Sequence, residues 1–374
     1  MMRNLRDIEI PRDVPVLVRS GLNVPLGPDG PRSTFRLRRA LRTIEHLQAR
    51  KARIIIAGHI GRESTATLRP VYEYIKEKIP GVYFSDYVYG SHVRERIHDL
   101  LPGEVLILEN LRRQTGEQAN DSAFAKELAG LADIFVQDAF DTCHRQHASI
   151  VGIPEYLSSY AGLVLEDEVA QLTKALNPKA PSLAIVGGAK FRTKVPFIKK
   201  LLKTYDEVFI GGALANDLLY AQGVEVGRSL VSGTDTMLSD IANNPRIHAP
   251  RDVIVETSGD DDGVRELSDI HKTDTIMDAG PQTIAFLKEK ISNARTVLWN
   301  GPLGYYEGGY RFGNESVARA ISESDAYSVL GGGDTVAALE ELQIEHKIDF
   351  VSTGGGAMLD FLVDGSLPGI DALE

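Results

Sequence analysis

Residues 187–194 read Gly-Gly-Ala-Lys-Phe-Arg-Thr-Lys, between the apolar run Leu183–Val186 and a helical pattern over Val195–Leu202. A strand ending in two glycines lets backbone N–H groups approach an anion, because no Cβ stands in the way. Lys190 and Lys194 are four residues apart, so on a helical turn their ammonium groups point to one side. That arrangement suits a polyphosphate, although a tight turn followed by two solvated lysines also accounts for it. The same grammar recurs. Gly331-Gly332-Gly333-Asp334-Thr335 and Gly354-Gly355-Gly356 each follow a strand pattern and precede a helical one. Both turns should offer N–H groups and the positive end of a helix dipole to an anion. Asp334 suits Mg²⁺, which favours one or two carboxylates plus phosphate oxygens, and Thr335 could cap its helix or donate to phosphate. Three such turns in one half of the chain point to a nucleotide. No G-x-x-x-x-G-K-[ST] loop is present, and Val336 stands where a dinucleotide fingerprint needs its third small residue. A nicotinamide enzyme is therefore the weaker competitor.

The first half carries a different set: Asn23, Arg36, His59, Arg62, Arg112, Arg113, His144, Arg145 and His147. Any one arginine is ordinarily a solvated charge. Here His59, Arg62, Arg112, Arg113 and Arg145 all follow predicted strands, so they should gather at one sheet edge with Arg36. Arginine's planar fork matches carboxylate and phosphate. The His144-Arg145-Gln146-His147 stretch lacks acidic or cysteine partners at metal-ligand spacing, which favours anion binding over a metal.

The elements that must position these groups alternate along the whole chain. Strand patterns fall at Val16–Val18, Arg53–Ala57, Val105–Leu108, Ile134–Val136, Leu183–Val186, Val208–Ile210, Val253–Val255, Thr296–Leu298, Ser328–Leu330 and Phe350–Ser352. Most are continuously apolar, as parallel strands covered on both faces should be. Helical periodicity lies between them. This rhythm predicts an α/β fold of two doubly wound, Rossmann-like parallel sheets, with ligands at the carboxyl ends of the strands. Leu165, Val169, Leu172 and Leu176 form one stripe, so Leu163–Leu176 should be a helix ended by Asn177-Pro178, joining the two domains. The expected division is an N-terminal domain over 1–158, an interdomain helix over 159–178 and a C-terminal domain over 179–359.

The 374 residues allow two such cores, and 43% apolar and 25% charged residues are ordinary for a soluble protein. A net charge of −11 argues against nucleic acid as a partner, and no apolar run is long enough to span a bilayer. The start of the chain lacks a secretory pattern, and the single Cys143 excludes an internal disulfide and fits the cytoplasm.

In order along the chain, Val16–Arg19 with Asn23-Val24-Pro25, His59-Ile60-Gly61-Arg62, Glu109–Arg112, and Asp138-Ala139-Phe140 with His144–His147 resemble phosphoglycerate kinase. The likeness continues through Gly187–Lys190 and Lys194, Trp299–Glu307, Gly331–Thr335, Ser352–Gly356 and Leu367-Pro368-Gly369, covering nearly the whole length. The resemblance implies reversible phosphoryl transfer between 1,3-bisphosphoglycerate and MgADP, giving 3-phosphoglycerate and ATP. It implies that the position of Gly21, with Asn23, Arg36, His59, Ile60, Gly61, Arg62, Arg112 and Arg145, holds the acid. Lys190, Lys194, Glu307, Gly332, Gly333, Asp334 and Thr335 would hold the nucleotide, with Glu307 on the ribose and Asp334 on Mg²⁺. Arg36 and Lys194, from opposite domains, would neutralise the migrating phosphoryl as the domains close, aided by the amides at Gly355 and Gly356. The family also implies a monomer and a C-terminal tail, about 360–374, that returns to the N-terminal domain. The alternative is a nucleotide-binding paralogue with another acid substrate or without catalysis.

The chain departs from the family pattern in places. Gly21 replaces an aspartate that binds the glycerate, and Asp141 replaces a common glycine beside His144 and Arg145. Arg113, Glu63 and Met358 are further departures. Two readings of Asp141 stand: it caps a turn, or it offsets the missing carboxylate by meeting the acid's hydroxyl or orienting Arg145.

Overall fold

The computed structural model describes residues 2–189, 191–232, 241–257 and 262–374, and for 191–193 the backbone alone. The chain forms two compact units, Met1–Ala170 with Asp364–Glu374, and Gln171–Val363.

The first unit is built on a six-stranded sheet in the order Val82–Phe84, Val105–Ile107, Arg53–Ala57, Pro15–Ser20, Ile134–Asp138, Ser158–Ala161. All its pairings are parallel. The central stretches Val16–Val18, Ile54–Ala57, Val105–Ile107 and Ile134–Val136 are apolar because both faces are covered. Val16, Val18, Ile54, Ile56, Val105 and Ile107 enter one core layer. Leu17, Ile55, Ala57 and Leu106 enter the layer on the other face. Successive side chains thus alternate between two equally apolar surroundings. The expected Arg36–Gln48 helix spans Phe35–Ala49 and buries Leu37, Ile44 and Leu47.

In the second unit a parallel sheet runs Ile247–His248, Glu207–Ile210, Ser182–Val186, Thr296–Asn300, Tyr327–Gly331, Phe350–Val351. Numbered by occurrence, that order is 3-2-1-4-5-6, so the direction of winding reverses between Ser182–Val186 and Thr296–Asn300. Ligands bind outside the carboxyl ends of strands at such a point.

The apolar run at Val253–Val255 departs from the parallel pattern. It lies in Asp252–Glu256, which pairs antiparallel with Gly263–Glu266 and Thr275–Ala279 in a separate sheet. One apolar run looks like another in sequence; only the pairing partner distinguishes them.

The helix expected between the domains spans Leu163–Ala175, and the boundary between the two units falls within it, after Ala170. Its first turn is capped by Asp138, which accepts from Val164 N (2.9 Å) and Leu165 N (3.4 Å). The tail packs on the first unit: Gly369 N donates to Cys143 O (2.8 Å), and Arg3 Nε to Leu373 O (3.4 Å).

Candidate active site

In the first unit the site begins with Arg19, the penultimate residue of Pro15–Ser20 and fully buried. Its guanidinium donates to Ser149 Oγ (2.9 Å) and Ser20 O (2.7 Å) and faces His59 Nδ1 at 3.0 Å. Ser149 passes the contact on to Glu117, donating from Oγ (2.6 Å) and from its backbone N–H (3.1 Å). Since an arginine can only donate, His59 Nδ1 accepts, and the imidazole proton resides on Nε2. Burial and then the charge of Arg19, reinforced by Arg112 and Arg145, hold the His59 pKa far below its ordinary value. His59 is thus a neutral, oriented N–H donor.

Around it the loop at 58–66 is tied down by Asn110, which is fully buried. Asn110 Oδ1 accepts from Ile60 N (3.2 Å) and Arg112 N (3.1 Å), while Nδ2 donates to Ile60 O (2.9 Å) and Ala66 O (3.0 Å). Gly61 N donates to Asn23 Oδ1 (3.0 Å), Arg36 donates to Asn23 O (2.5 Å), and Arg112 donates to Gly61 O. Asn23, Arg36, His59, Ile60, Gly61 and Arg112 therefore form one connected edge. Arg145 lies close enough to depress the His59 and Arg112 pKa values. Arg62 is exposed on the same loop. Arg19 and Asn110 stand in the motifs quoted from the sequence but are given no part there, and Glu117 and Ser149 are not singled out at all. The available signal was a charged residue directly after the apolar Val16–Val18, since a charge in a buried strand must be paired.

In the second unit Lys194 sits at the reversal point. Its ammonium donates to Gly187 O (2.5 Å), Asn300 Oδ1 (3.1 Å) and Asn300 O (3.4 Å), three neutral acceptors for three N–H bonds. Burial pulls its pKa down to about 8. The glycines before it act otherwise than their spacing implied. Gly187 N donates to Asn300 O (2.9 Å) and Gly188 N to Pro302 O (2.9 Å), so these amides are committed within the protein. A Cβ on Gly187 would lie 2.1 Å from Pro302 O. Its role is to let two strand-end loops touch and form the lysine's cradle. Lys190 lies outside the described residues.

The other two glycine turns keep their expected part. Gly332 has φ 109° and caps Gly333–Leu342, a conformation open to glycine. Gly355 begins the helix Gly355–Asp364 and lies against Gly332, a Cβ there being 3.8 Å from the Gly332 Cα. The first-turn N–H groups of both helices, including those of Gly333, Asp334, Gly355 and Gly356, have no intrahelical acceptor. Thr335 Oγ1 is buried without a partner. Beside this cradle lies a cavity of about 510 Å³ lined by Gly212, Asn216, Leu230, Met277 and Leu303, with Glu307 and Asp334. Asn216 donates to Leu230 O (3.1 Å) while its Oδ1 is buried without a donor. Burial, and then the nearby Glu307, raise the Asp334 carboxyl pKa. A divalent cation there would relieve both penalties, so the residues fit Mg²⁺.

The two halves thus offer an arginine-rich edge and a glycine-lined cradle with one buried lysine. A family model described as phosphoglycerate kinase matches residues 5–365. The phosphoglycerate kinase of Moorella thermoacetica is 39% identical over 386 residues, covering 99% of this chain and 98% of that one. That of Dictyoglomus turgidum is 37% identical, covering 99% and 98%. The chain belongs to the phosphoglycerate kinase family. Solved relatives agree: the Coxiella burnetii enzyme superposes with a TM-score of 0.84 at 34% identity, covering 100% of this chain and 99% of that one. The Pyrococcus horikoshii enzyme gives 0.89 at 30%, covering 100% and 98%. Membership makes the chain a glycolytic kinase, a phosphotransferase with a carboxyl group as acceptor.

Proposed function

We propose that the strand-end edge of the first unit binds 3-phosphoglycerate and that the cradle of the second binds the magnesium nucleotide. The observation carrying this reading is His59, a neutral donor oriented by a buried arginine among Arg36, Arg62, Arg112 and Arg145. Such a group costs no charge yet directs an N–H bond at an anion, while the arginines supply the neutralisation. The adenine would occupy the apolar cavity, its exocyclic amine donating to Asn216 Oδ1, with Glu307 on the ribose hydroxyls. The phosphates would meet Lys194, Thr335 and the first-turn amides at Gly332–Thr335, Gly355 and Gly356.

A carboxylate oxygen of the acid attacks the γ-phosphorus of ATP in line; the P–O bond to ADP breaks as the acyl phosphate forms, and the reverse step regenerates ATP. The reaction asks the protein for alignment and charge neutralisation rather than a nucleophile. Arg36 and Lys194 supply positive charge to the transferring oxygens, and the amides at Gly355 and Gly356 add fixed dipoles. Asp334 would hold Mg²⁺, which when bound neutralises nucleotide phosphate charge. No helix among the described residues is long and apolar enough to cross a membrane. Monomeric operation in the cytoplasm belongs to the same proposal. A coupled assay with 3-phosphoglycerate and MgATP tests the assignment. Saturation in both substrates is expected, and MgADP binding without turnover would refute it.

A further inference from the structure

We infer that Asp141 reads the hydroxyl of the acid substrate, reaching it through the space that Gly21 leaves open. This rests on the assignment of the acid to the first unit. The strands Pro15–Ser20 and Ile134–Asp138 are parallel neighbours in register, with Ser20 opposite Asp138. Gly21 follows one directly; Asp141 lies in the short turn Phe140–Thr142 just beyond the other. A Cβ on Gly21 would fall 2.9 Å from Asp141 Oδ1 and 3.6 Å from its Cγ. The carboxylate therefore occupies the volume that a side chain at position 21 would fill. Any larger residue there would have to displace it.

The chemistry of this carboxylate is unfinished. Asp141 Oδ1 is buried and accepts no hydrogen bond. Glu117, in the same cluster, is satisfied by two bonds from Ser149 and lies 3.7 Å from His147. Asp141 interacts electrostatically with Arg19 and Arg112, so it shares the ground of the cationic edge. A buried acceptor left unmet carries a penalty that a ligand donor can remove.

The substrate's own groups decide which donor. At neutral pH the phosphate and carboxylate of 3-phosphoglycerate are anionic acceptors, repelled by Asp141 and matched by the arginines. The C2 hydroxyl alone carries an O–H to donate. An O–H bond to a carboxylate is among the stronger hydrogen bonds, and a site built around one rejects the analogue lacking it. Asp141 is thus a substrate-binding residue that makes the site specific for a 2-hydroxy acid.

The test compares 3-phosphoglycerate with its analogue lacking the hydroxyl, 3-phosphooxypropanoate, used as a competitive inhibitor. In Asp141→Ala the KM for 3-phosphoglycerate should rise about tenfold, the size of one lost hydrogen bond to a charged group. The inhibition constant of the analogue should stay unchanged and kcat should move little. Moving the carboxylate across, in Gly21→Asp with Asp141→Gly, should restore the preference for the hydroxy acid. Thermal melts of each variant separate unfolding from altered recognition. Equal changes in both constants, or no change in either, would overturn the inference while leaving the kinase assignment intact. Absence of turnover in the unmodified protein would overturn both.

Discussion

Burial and the surrounding arginines keep His59 neutral, and one of them, Arg19, fixes its tautomer. Facing Arg19 at 3.0 Å, its Nδ1 has no choice but to accept, leaving Nε2–H to donate. The expected ¹⁵N spectrum shows this tautomer unchanged from pH 8 to pH 5; an imidazolium appearing near pH 6 would contradict the arrangement. Lys194 is poised in the opposite sense. Burial lowers its pKa to about 8, so the free enzyme loses this positive charge as pH rises through that value. The specificity constant kcat/KM for MgATP reports the free enzyme and should fall above about pH 8. Lys194→Arg, charged at every accessible pH, should lose that descending limb even if its rate is lower. A limb retained in the variant would assign it to another group.

Between residue and fold stand the strand ends. Asn110 uses one side chain to fasten the loop at 58–66, accepting from Ile60 N and donating to Ile60 O and Ala66 O, while its Oδ1 also accepts from Arg112 N. Asn110→Ala would strand buried backbone groups, costing about 1–3 kcal/mol of stability and raising the KM for the acid through a loosened His59 loop. Chemical denaturation and acid titrations check both; an unchanged KM would show that the loop holds its shape by other means. Much of this level could be read from the sequence. Arg53–Ala57 and Ile134–Asp138 announced themselves as apolar runs followed by polar groups, which placed His59 and the arginines at one edge. Ser158–Ala161 did not, because an edge strand reading Ser-Ser-Tyr-Ala carries no apolar run. The meeting of Gly21 with Asp141, and the burial of Arg19 against Ser149 and Glu117, are products of tertiary pairing. The family pattern pairs Asp141 with the carboxylate missing at Gly21 as one reading, but no local pattern encodes their contact.

For the whole molecule, the return of the tail ties the last residues to the segment Cys143–Ile150, which includes Arg145 of the proposed acid site. A Cβ on Gly369 would lie 2.7 Å from Ile150 Cγ2 and 3.1 Å from Cys143 Cα and Sγ. Gly369→Val should therefore push the helix Pro368–Asp371 off that segment, costing about 1–3 kcal/mol. Because Arg145 lies two residues from Cys143, the same change should weaken binding of the acid more than of the nucleotide. Calorimetric titration of each ligand measures the difference, and equal losses would confine the tail to a purely structural part. The most direct test of the whole account is a rapid-quench measurement of phosphoryl transfer from γ-labelled MgATP to 3-phosphoglycerate in the unmodified protein and in Lys194→Ala. Loss of that buried charge should slow transfer about 10²- to 10³-fold, with the KM for the acid unchanged. A variant transferring at the unmodified rate, or an unmodified protein transferring nothing, would contradict it.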